Sequence, residues 1–484
     1  MRRWGLLCAA VAALAYLNTL GHQFTYDDHV AIEGNPLIRD LRLLPRLVTT
    51  GYWDAIPGAA ADTDRLYRPV TVASYALNYA VHGLSPRGYH AVNVALHAAA
   101  SALTVPLLTA LGAPGWGAGA AGLLFALHPV HSEAVASVVG RAELLAALWL
   151  LVAWRLNLMP GPRAGALALG AYALALLSKE NAVSLLLLYP GAQLVLRRPL
   201  RRGLLAGLVA VTAAAVLLRY LVLGTLHQPP PARLNPLVAA DGPTQVLTAL
   251  HILGLYLTRL FFPLTLSADY SYDAIPLVRG LSPAPLLPFL VWSGLLAVAC
   301  WRGRGPAWLA VLLIAAPLLP VSNLVFVIGT PMAERFLYLP VLGLALLIAA
   351  GLTRVPPRAA MAGLLLLALL YAGRTVRRNQ DWHDDFSLWR ATVQTSPRSA
   401  LAHLGLGMAY LGRDQPREAL REVERALEIM PRWADARNSL GVIRDRLGDR
   451  AGAIQAFEQA LQEDPRHPLA RQNLQTLQGG ATSR

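Results

Sequence analysis

The sequence predicts an all-α protein in two parts, a polytopic membrane helical bundle followed by an α-solenoid of short repeats. Three observations carry this. The 484 residues are 55% apolar and only 14% charged, far below the roughly 25% charged residues of an ordinary soluble chain. The apolar residues fall in blocks of about 17–22, long enough to cross a hydrocarbon core of about 30 Å. Beyond Arg374 charges of both signs return, and Pro397, Pro431 and Pro465 recur every 34 residues, the period of tetratricopeptide repeats.

Apolar segments run over residues 4–20, 90–111, 116–138, 142–158, 164–177, 181–196, 203–223, 246–264, 284–301, 307–325, 336–351 and 358–373. The first is too long, and lacks the small-residue cleavage site, to be a removed signal peptide. Met1-Arg2-Arg3 hold its start on the cytoplasmic side, so the loop after it emerges on the outer face. Further basic clusters, Arg197-Arg198 with Arg201-Arg202, Arg302 with Arg304, and Arg354 with Arg358, mark cytoplasmic loops. Three segments separate the first two clusters, and an odd number of crossings would put them on opposite sides. Segment 246–264, with His251, Arg259 and a Phe261-Phe262-Pro263 end, reads as re-entrant or interfacial on the outer side. About eleven crossings remain, and the C-terminal region lies outside. Residues 1–373 form the membrane domain, 374–396 a linker with a half-repeat helix, and 397–484 two full repeats and a capping helix.

A net charge of +14 raises nucleic-acid binding, but the arginines sit in short loops between apolar segments, and no basic face with interleaved aromatics accompanies them. Nucleic acid is excluded as a partner. Cys8 and Cys300 both lie in apolar segments, so no disulfide framework is implied. Lys179 is the only lysine among 42 basic residues. That bias points to a GC-rich, bacterial genome, and hence to a bacterial plasma (inner) membrane.

The outer helix ends collect ionisable residues. Asp27 and Asp28 follow the first segment, beside Tyr26 and His29; two carboxylates next to a bilayer are costly, which marks them as a site. The loop continues to Arg68. His128, His131 and Glu133 end the third segment, Arg141 and Glu143 follow, then Lys179 and Glu180, and later Glu334 and Arg335. A carboxylate can take a proton from an attacking hydroxyl, and cations can stabilise a departing phosphate. Asp27 and Asp28 supply the first function. Arg141, Lys179 and Arg335 supply the second, with Arg68, His131, Glu133, Glu180 and Glu334 as further substrate-binding candidates. The set suits glycosyl transfer from a lipid-linked sugar phosphate whose tail lies in the bilayer lipid.

Structural readings compete at each position. Asp27 and Asp28 suit an Asx turn or helix N-cap. Arg141 with Glu143, Lys179 with Glu180, and Glu334 with Arg335 suit ion pairs between sequence neighbours. His128, His131 and Glu133 have metal-ligand chemistry, so a divalent cation is compatible with the site, but Pro129 disturbs helical presentation and favours hydrogen bonds at a helix end. Tyr89, Tyr270 and Tyr272 read as interfacial anchors. Tyr52 and Trp53 read as an amphipathic stretch resting on the membrane surface.

The motifs Phe24-Thr25-Tyr26-Asp27-Asp28, Tyr67-Arg68-Pro69-Val70-Thr71, Gly88-Tyr89-His90-Ala91-Val92-Asn93, Leu127-His128-Pro129-Val130-His131-Ser132-Glu133 and Gly140-Arg141-Ala142-Glu143 resemble those of the transmembrane and TPR repeat-containing O-mannosyltransferases. Leu177-Ser178-Lys179-Glu180, Ser267-Ala268-Asp269-Tyr270-Ser271, Ser322-Asn323-Leu324 and Ala333-Glu334-Arg335-Phe336-Leu337-Tyr338-Leu339-Pro340 continue the resemblance in order. It implies a GT-C glycosyltransferase fold, a polyprenyl-phosphate sugar donor, inversion at the anomeric centre, and a catalytic acidic pair that falls on Asp27-Asp28. Of that pair, Asp28 is expected to take the proton. The sugar is expected to be mannose-like, the carrier undecaprenyl-type, and the acceptor a protein Ser/Thr or a glycan hydroxyl. The chain departs from the family in carrying two repeats rather than many, and in Glu143 where the family's Gly-Arg-Ala-Asp motif has Asp. From a different class, a non-catalytic membrane scaffold would use the repeats to bind envelope proteins, leaving the aspartates dispensable. A lipid-linked sugar transporter would need polar residues at mid-membrane, where this chain has few.

Overall fold

The computed structural model describes residues 2–56, 65–303 and 305–479; Met1, Arg304 and the last five residues of the repeat region lie outside the described residues. Among the described residues all regular structure is helical. The chain divides into two compact units, Met1–Leu266 with Val278–His383, and Ser267–Leu277 with Asp384–Arg484.

The first unit contains α1 (Arg2–Ala15), α2 (Pro69–His82), α3 (Pro86–Ala110), α4 (Gly115–Leu127), α5 (Ser132–Ala136), α6 (Arg141–Asn157), α7 (Pro162–Ser178), α8 (Leu185–Val195), α9 (Arg202–Leu223), α10 (Gly242–Phe261), α11 (Pro283–Gly303), α12 (Gly305–Leu318), α13 (Pro340–Leu352) and α14 (Pro357–Asn379). Each of the twelve apolar segments contains a helix. Among the described residues five helices are long and apolar enough to cross a membrane, or six if the bent pair Pro129–Ala136 and Arg141–Asn157 is one span; α10 is not among them. This is a multi-pass membrane protein.

α4 is buried along nearly its whole length. It packs against α1, α3, α13 and α14. Its small residues allow this: a Cβ on Gly119 would lie 2.2 Å from the Trp4 ring. By contrast α9 and α11 bury little of their length, as lipid-facing helices do. Cys8 and Cys300 are both free thiols.

Two features differ from the sequence expectation. Segment 116–138 is not one helix: α4 stops at Leu127, because Pro129 cannot continue its ladder, and α5 and α6 then meet at a bend of 110°. The stretch between α1 and α3 is no simple loop. It contains α2, opened by Pro69 and closed by Gly83 at φ 57°, the Pro-first, Gly-last pattern of a helix. α2 and the turns before it enclose a core of Phe24, Ile32, Ile38, Leu47, Tyr52, Val72, Tyr75, Tyr89 and Val138. Tyr52, with Trp53 packed beside it, therefore lies inside this core and not on a membrane surface. Tyr89 is likewise buried and is no interfacial anchor.

The second unit holds α15 (Asp385–Thr395), α16 (Ala400–Gly412), α17 (Pro416–Ile429), α18 (Ala434–Arg446), α19 (Arg450–Glu463) and α20 (Pro468–Gly479). α16, α18 and α20 begin 34 residues apart, as do α17 and α19. Small residues sit where paired helices touch: a Cβ on Gly407 would lie 2.7 Å from Val423, and one on Gly441 2.5 Å from Phe457. His403 Nε2, Arg437 Nη2 and Arg471 Nη2, again 34 residues apart, bond the carbonyls of Pro397, Pro431 and Pro465. The strap Ser267–Leu277 belongs to this unit. Asp269 accepts from the Ser399 hydroxyl at 2.6 Å, Ser267 Oγ lies 2.9 Å from Ser396 Oγ, and Asp273 pairs with Arg398. Tyr270 is buried, and Tyr272 packs on the repeat core, so neither is an interfacial anchor.

Candidate functional site

The acidic pair sits in the turn after α1, and its two members have different surroundings. Asp28 is 0% exposed. Its carboxylate accepts the backbone N–H groups of Thr25 at 3.2 Å, Val138 at 3.2 Å and Val139 at 2.9 Å. Burial pushes its carboxyl up to about 7; the three N–H donors oppose that rise, and the neighbouring Asp27 charge adds to it. Asp27 is only partly buried and lies within electrostatic reach of Arg335.

Arg335 lies near Asp27, and Arg68 and Lys179 lie within electrostatic reach of Arg335, each of the three with a carboxylate. Arg68 Nε and Nη2 donate to the two oxygens of Glu180 at 3.1 and 2.5 Å. Lys179 Nζ pairs with Glu143, whose other oxygen accepts from Asn181 Nδ2 at 2.8 Å. Arg335 pairs with Glu133 and also donates its backbone N–H to that carboxylate at 2.8 Å. The cations feel one another. Burial lowers the Lys179 ammonium below its usual value; Glu143 opposes this, and the charges of Arg68 and Arg335 add to it. Burial also disfavours charge on Arg335, but Glu133 and then Asp27 more than offset that and raise it.

Exposure separates the three. The Lys179 side chain is 4% exposed, that of Arg68 14% and that of Arg335 32%. Lys179 is sealed against Glu143 and the Phe336 ring, 4.8 Å away, while Arg335 keeps the largest exposed share of the three and Arg68 a smaller one.

The expected neighbour pairs do not form. Glu143 goes to Lys179, Glu180 to Arg68 and Glu133 to Arg335, and Glu334 faces Arg378 at 3.7 Å. Each of these pairs joins different segments, because a helix-end residue points across to the adjacent helix end rather than along its own turn. Three expected substrate-binding residues are fully buried and engaged with other groups. Glu334 is fully buried beside Arg378. His131 is fully buried, with Nε2 3.1 Å from the Tyr338 carbonyl. Arg141 is fully buried, with Nε on Asn93 Oδ1 at 2.8 Å, Nη2 on Asn78 Oδ1 and the Tyr89 carbonyl at 2.8 and 2.9 Å, and Nη1 on the Ser74 carbonyl at 3.3 Å. Little of its fork is left for a phosphate. His128 Nε2 likewise lies 3.1 Å from the Leu260 carbonyl. Among the described residues no group of three or more His, Cys, Asp or Glu is placed to hold a metal.

The sequence reading gave no role to Asn78 and Asn93. Asn78 lies on α2, within the stretch expected to be loop. Asn93 stood in a quoted motif, but nothing in its spacing disclosed that its Nδ2 reaches the carbonyls of Val135, Ser137 and Val138.

Fold and site together define a multi-pass, all-helical membrane protein with a carboxylate-and-cation cluster built from several interhelical turns. Residues 232–296 match the family described as "Protein O-mannosyl-transferase TMTC, DUF1736". Over 90% of its length the chain is 30% identical to protein O-mannosyl-transferase Tmtc1 of Drosophila melanogaster, covering 62% of that relative. It is 28% identical to Tmtc3 of the same fly, over 94% of this chain and 58% of the relative. It is also 28% identical to human TMTC3, over 90% and 52%. Over most of its own length the chain is similar to the TMTC proteins, whose motifs its own resemble, and it spans between about half and three fifths of their length. ArnT from Cupriavidus metallidurans, solved bound to undecaprenyl phosphate, aligns over 100% of this chain and 88% of its own with 17% identity and a TM-score of 0.41, a likeness too distant to carry an argument.

Proposed function

We propose that this chain is an inverting glycosyltransferase that moves a mannose-like sugar from a polyprenyl-phosphate donor to an acceptor hydroxyl at the outer face of the membrane. The observation that carries the reading is the placement of a partly exposed carboxylate, Asp27, beside the accessible guanidinium of Arg335. The names of the relatives, protein O-mannosyl-transferases, support the class of reaction and a protein Ser/Thr acceptor.

In this reading Asp27, rather than Asp28, is the general base. Asp28 is fully buried and already holds three N–H donors, so no acceptor hydroxyl can reach it. Asp27 takes the proton of the acceptor O–H as that oxygen forms a bond to the anomeric carbon. The bond from that carbon to the donor phosphate oxygen breaks, and its electron pair leaves with the lipid phosphate. Arg335 and Arg68 meet the added negative charge with charge-assisted hydrogen bonds. Lys179 contributes at one remove, through the local field.

The test is transfer from polyprenyl-phosphate mannose, and from other polyprenyl-phosphate sugars, to a Ser/Thr-containing peptide by the purified protein. Asp27→Asn should lower kcat by about 10²-fold or more while donor binding persists. Near-wild-type turnover in Asp27→Asn would sink the assignment.

A further inference from the structure

Tyr26 has φ 52°, a left-handed backbone that a bulky non-glycine side chain adopts only when its surroundings impose it. It immediately precedes Asp27. The turn around it is closed reciprocally: Asp28 N–H donates to the Thr25 carbonyl at 3.0 Å, and Thr25 N–H donates to the Asp28 carboxylate at 3.2 Å. The same carboxylate then takes the N–H groups of Val138 and Val139, in the corner where α5 and α6 meet at 110°.

That corner is itself held from behind. Asn93 Nδ2 donates to the Ser137 carbonyl at 2.9 Å, with Val135 and Val138 carbonyls at 3.3 and 3.4 Å, and Asn93 Oδ1 accepts from Arg141 Nε. Arg141 anchors Asn93 to α2 through Asn78 and Ser74, and its guanidinium lies 5.1 Å from the Tyr75 ring centre and 5.4 Å from that of Tyr89. Gly140 completes the corner, since a Cβ there would lie 2.3 Å from the Ala134 carbonyl oxygen. Asp28, Asn93 and Arg141 are all 0% exposed.

We propose that Asp28, Asn93 and Arg141 form a buried latch that clamps the α5–α6 corner onto the strained Thr25–Asp28 turn and so fixes where Asp27 stands. The three are positioning residues. They touch no substrate, and the latch serves the reaction by holding Tyr26 in its left-handed conformation. The catalytic part of this inference rests on the reading of Asp27 as base; the clamp itself does not.

The experiment compares wild type with Asn93→Ala, Asp28→Asn and Asp27→Asn by hydrogen–deuterium exchange and by steady-state transfer from polyprenyl-phosphate mannose to a Ser/Thr peptide. The latch predicts faster exchange at the Val138 and Val139 amides in Asn93→Ala and Asp28→Asn, and none in Asp27→Asn. It predicts a kcat loss of about 10²-fold in the two latch variants, the size a misplaced group can cost, with donor KM unchanged. Tyr26→Gly, which removes the left-handed strain, should restore part of kcat in the Asp28→Asn background. Unchanged exchange in both latch variants overturns the clamp, and faster exchange with wild-type kcat overturns its positioning role. Should Asn93→Ala not fold, Arg141→Lys, which breaks the guanidinium fork but keeps the charge, is held to the same outcomes. If wild type transfers from none of the donors, the proposed function fails, and the exchange result alone upholds or overturns the clamp.

Discussion

At the residue scale the deciding quantity is burial. Lys179 and Glu143 form an ion pair with side chains 4% and 2% exposed. Removing one partner of such a pair leaves a charge stranded in a low-dielectric interior, at a cost of about 3–5 kcal/mol. Lys179→Met should therefore unfold in detergent at clearly lower temperature than wild type, and Lys179→Met with Glu143→Leu should recover most of the loss. A single variant as stable as wild type but poor in donor binding would return Lys179 to the phosphate. Asp28 makes a second residue-scale prediction. Its folded carboxyl is raised from 3.8 to about 7, chiefly by burial. Between these values the folded protein holds a proton that the unfolded chain has released, so stability falls as pH rises through that window. Below about 4 and above about 7 this contribution is flat. Melting temperatures taken from pH 4.5 to 7.5 should show that decline in wild type, and a shallower one in Asp28→Asn.

At the scale of elements, much was legible. The apolar segments all contain helices because a long apolar run away from water must bond its backbone within itself, and the prolines of the repeats mark real helix ends because proline cannot continue a ladder. Glu133, Lys179, Glu180 and Arg335 were legible as a charged set because ionisable residues at helix ends beside a bilayer need partners. Which partner each one takes was not. Glu143 and Lys179 are 36 residues apart and Glu133 and Arg335 202 apart, and only packing of the turns brings them together. α2 was missed because Thr71, Ser74 and Asn78 interrupt its apolar run, although Pro69 and Gly83 marked its ends. The repeat helices carry the prediction at this scale. Gly407 and Gly441 occupy the same register, and a methyl group on Gly441 would drive into the Phe457 ring. Gly441→Ala should cost about 1–3 kcal/mol, seen as faster exchange over α18 and α19, and Phe457→Leu in the same chain should relieve it. Unaltered protection in Gly441→Ala would mean that the helix pair yields freely.

At the scale of the whole molecule, the second unit is not one stretch of chain. A boundary drawn from composition at residue 374 or 397 cannot include Ser267–Leu277, because nothing in a strap's own sequence names the helix it will meet. Yet Asp269 is buried and accepts from Ser399, the N-cap of α16, as well as from the Ser271 hydroxyl at 2.9 Å. Tyr272 packs against the repeat core, and Asp273 pairs with Arg398. This changes how the repeats should be tested. Ending the chain after Arg378 removes Ser396, Arg398 and Ser399, which the strap bonds, and the repeat core on which Tyr272 packs. Such a truncation should be poorly expressed and protease-sensitive at the strap whatever the repeats do. Ending the chain after Gly448 keeps Ser396, Arg398 and Ser399, and so keeps the strap seated. If the chain is a transferase, this shorter protein should retain sugar transfer to a small peptide, measured against full-length protein in the same membranes. If it is instead a scaffold, Asp27→Asn should leave its envelope partners bound, while the truncation after Gly448 releases them. Asp269→Ala separates the strap from the repeats proper: it should speed exchange at the start of α16 by removing the acceptor of the Ser399 hydroxyl, with α19 unaffected. Equal protection of α16 in Asp269→Ala and wild type would show that the first repeat helix is set without the strap.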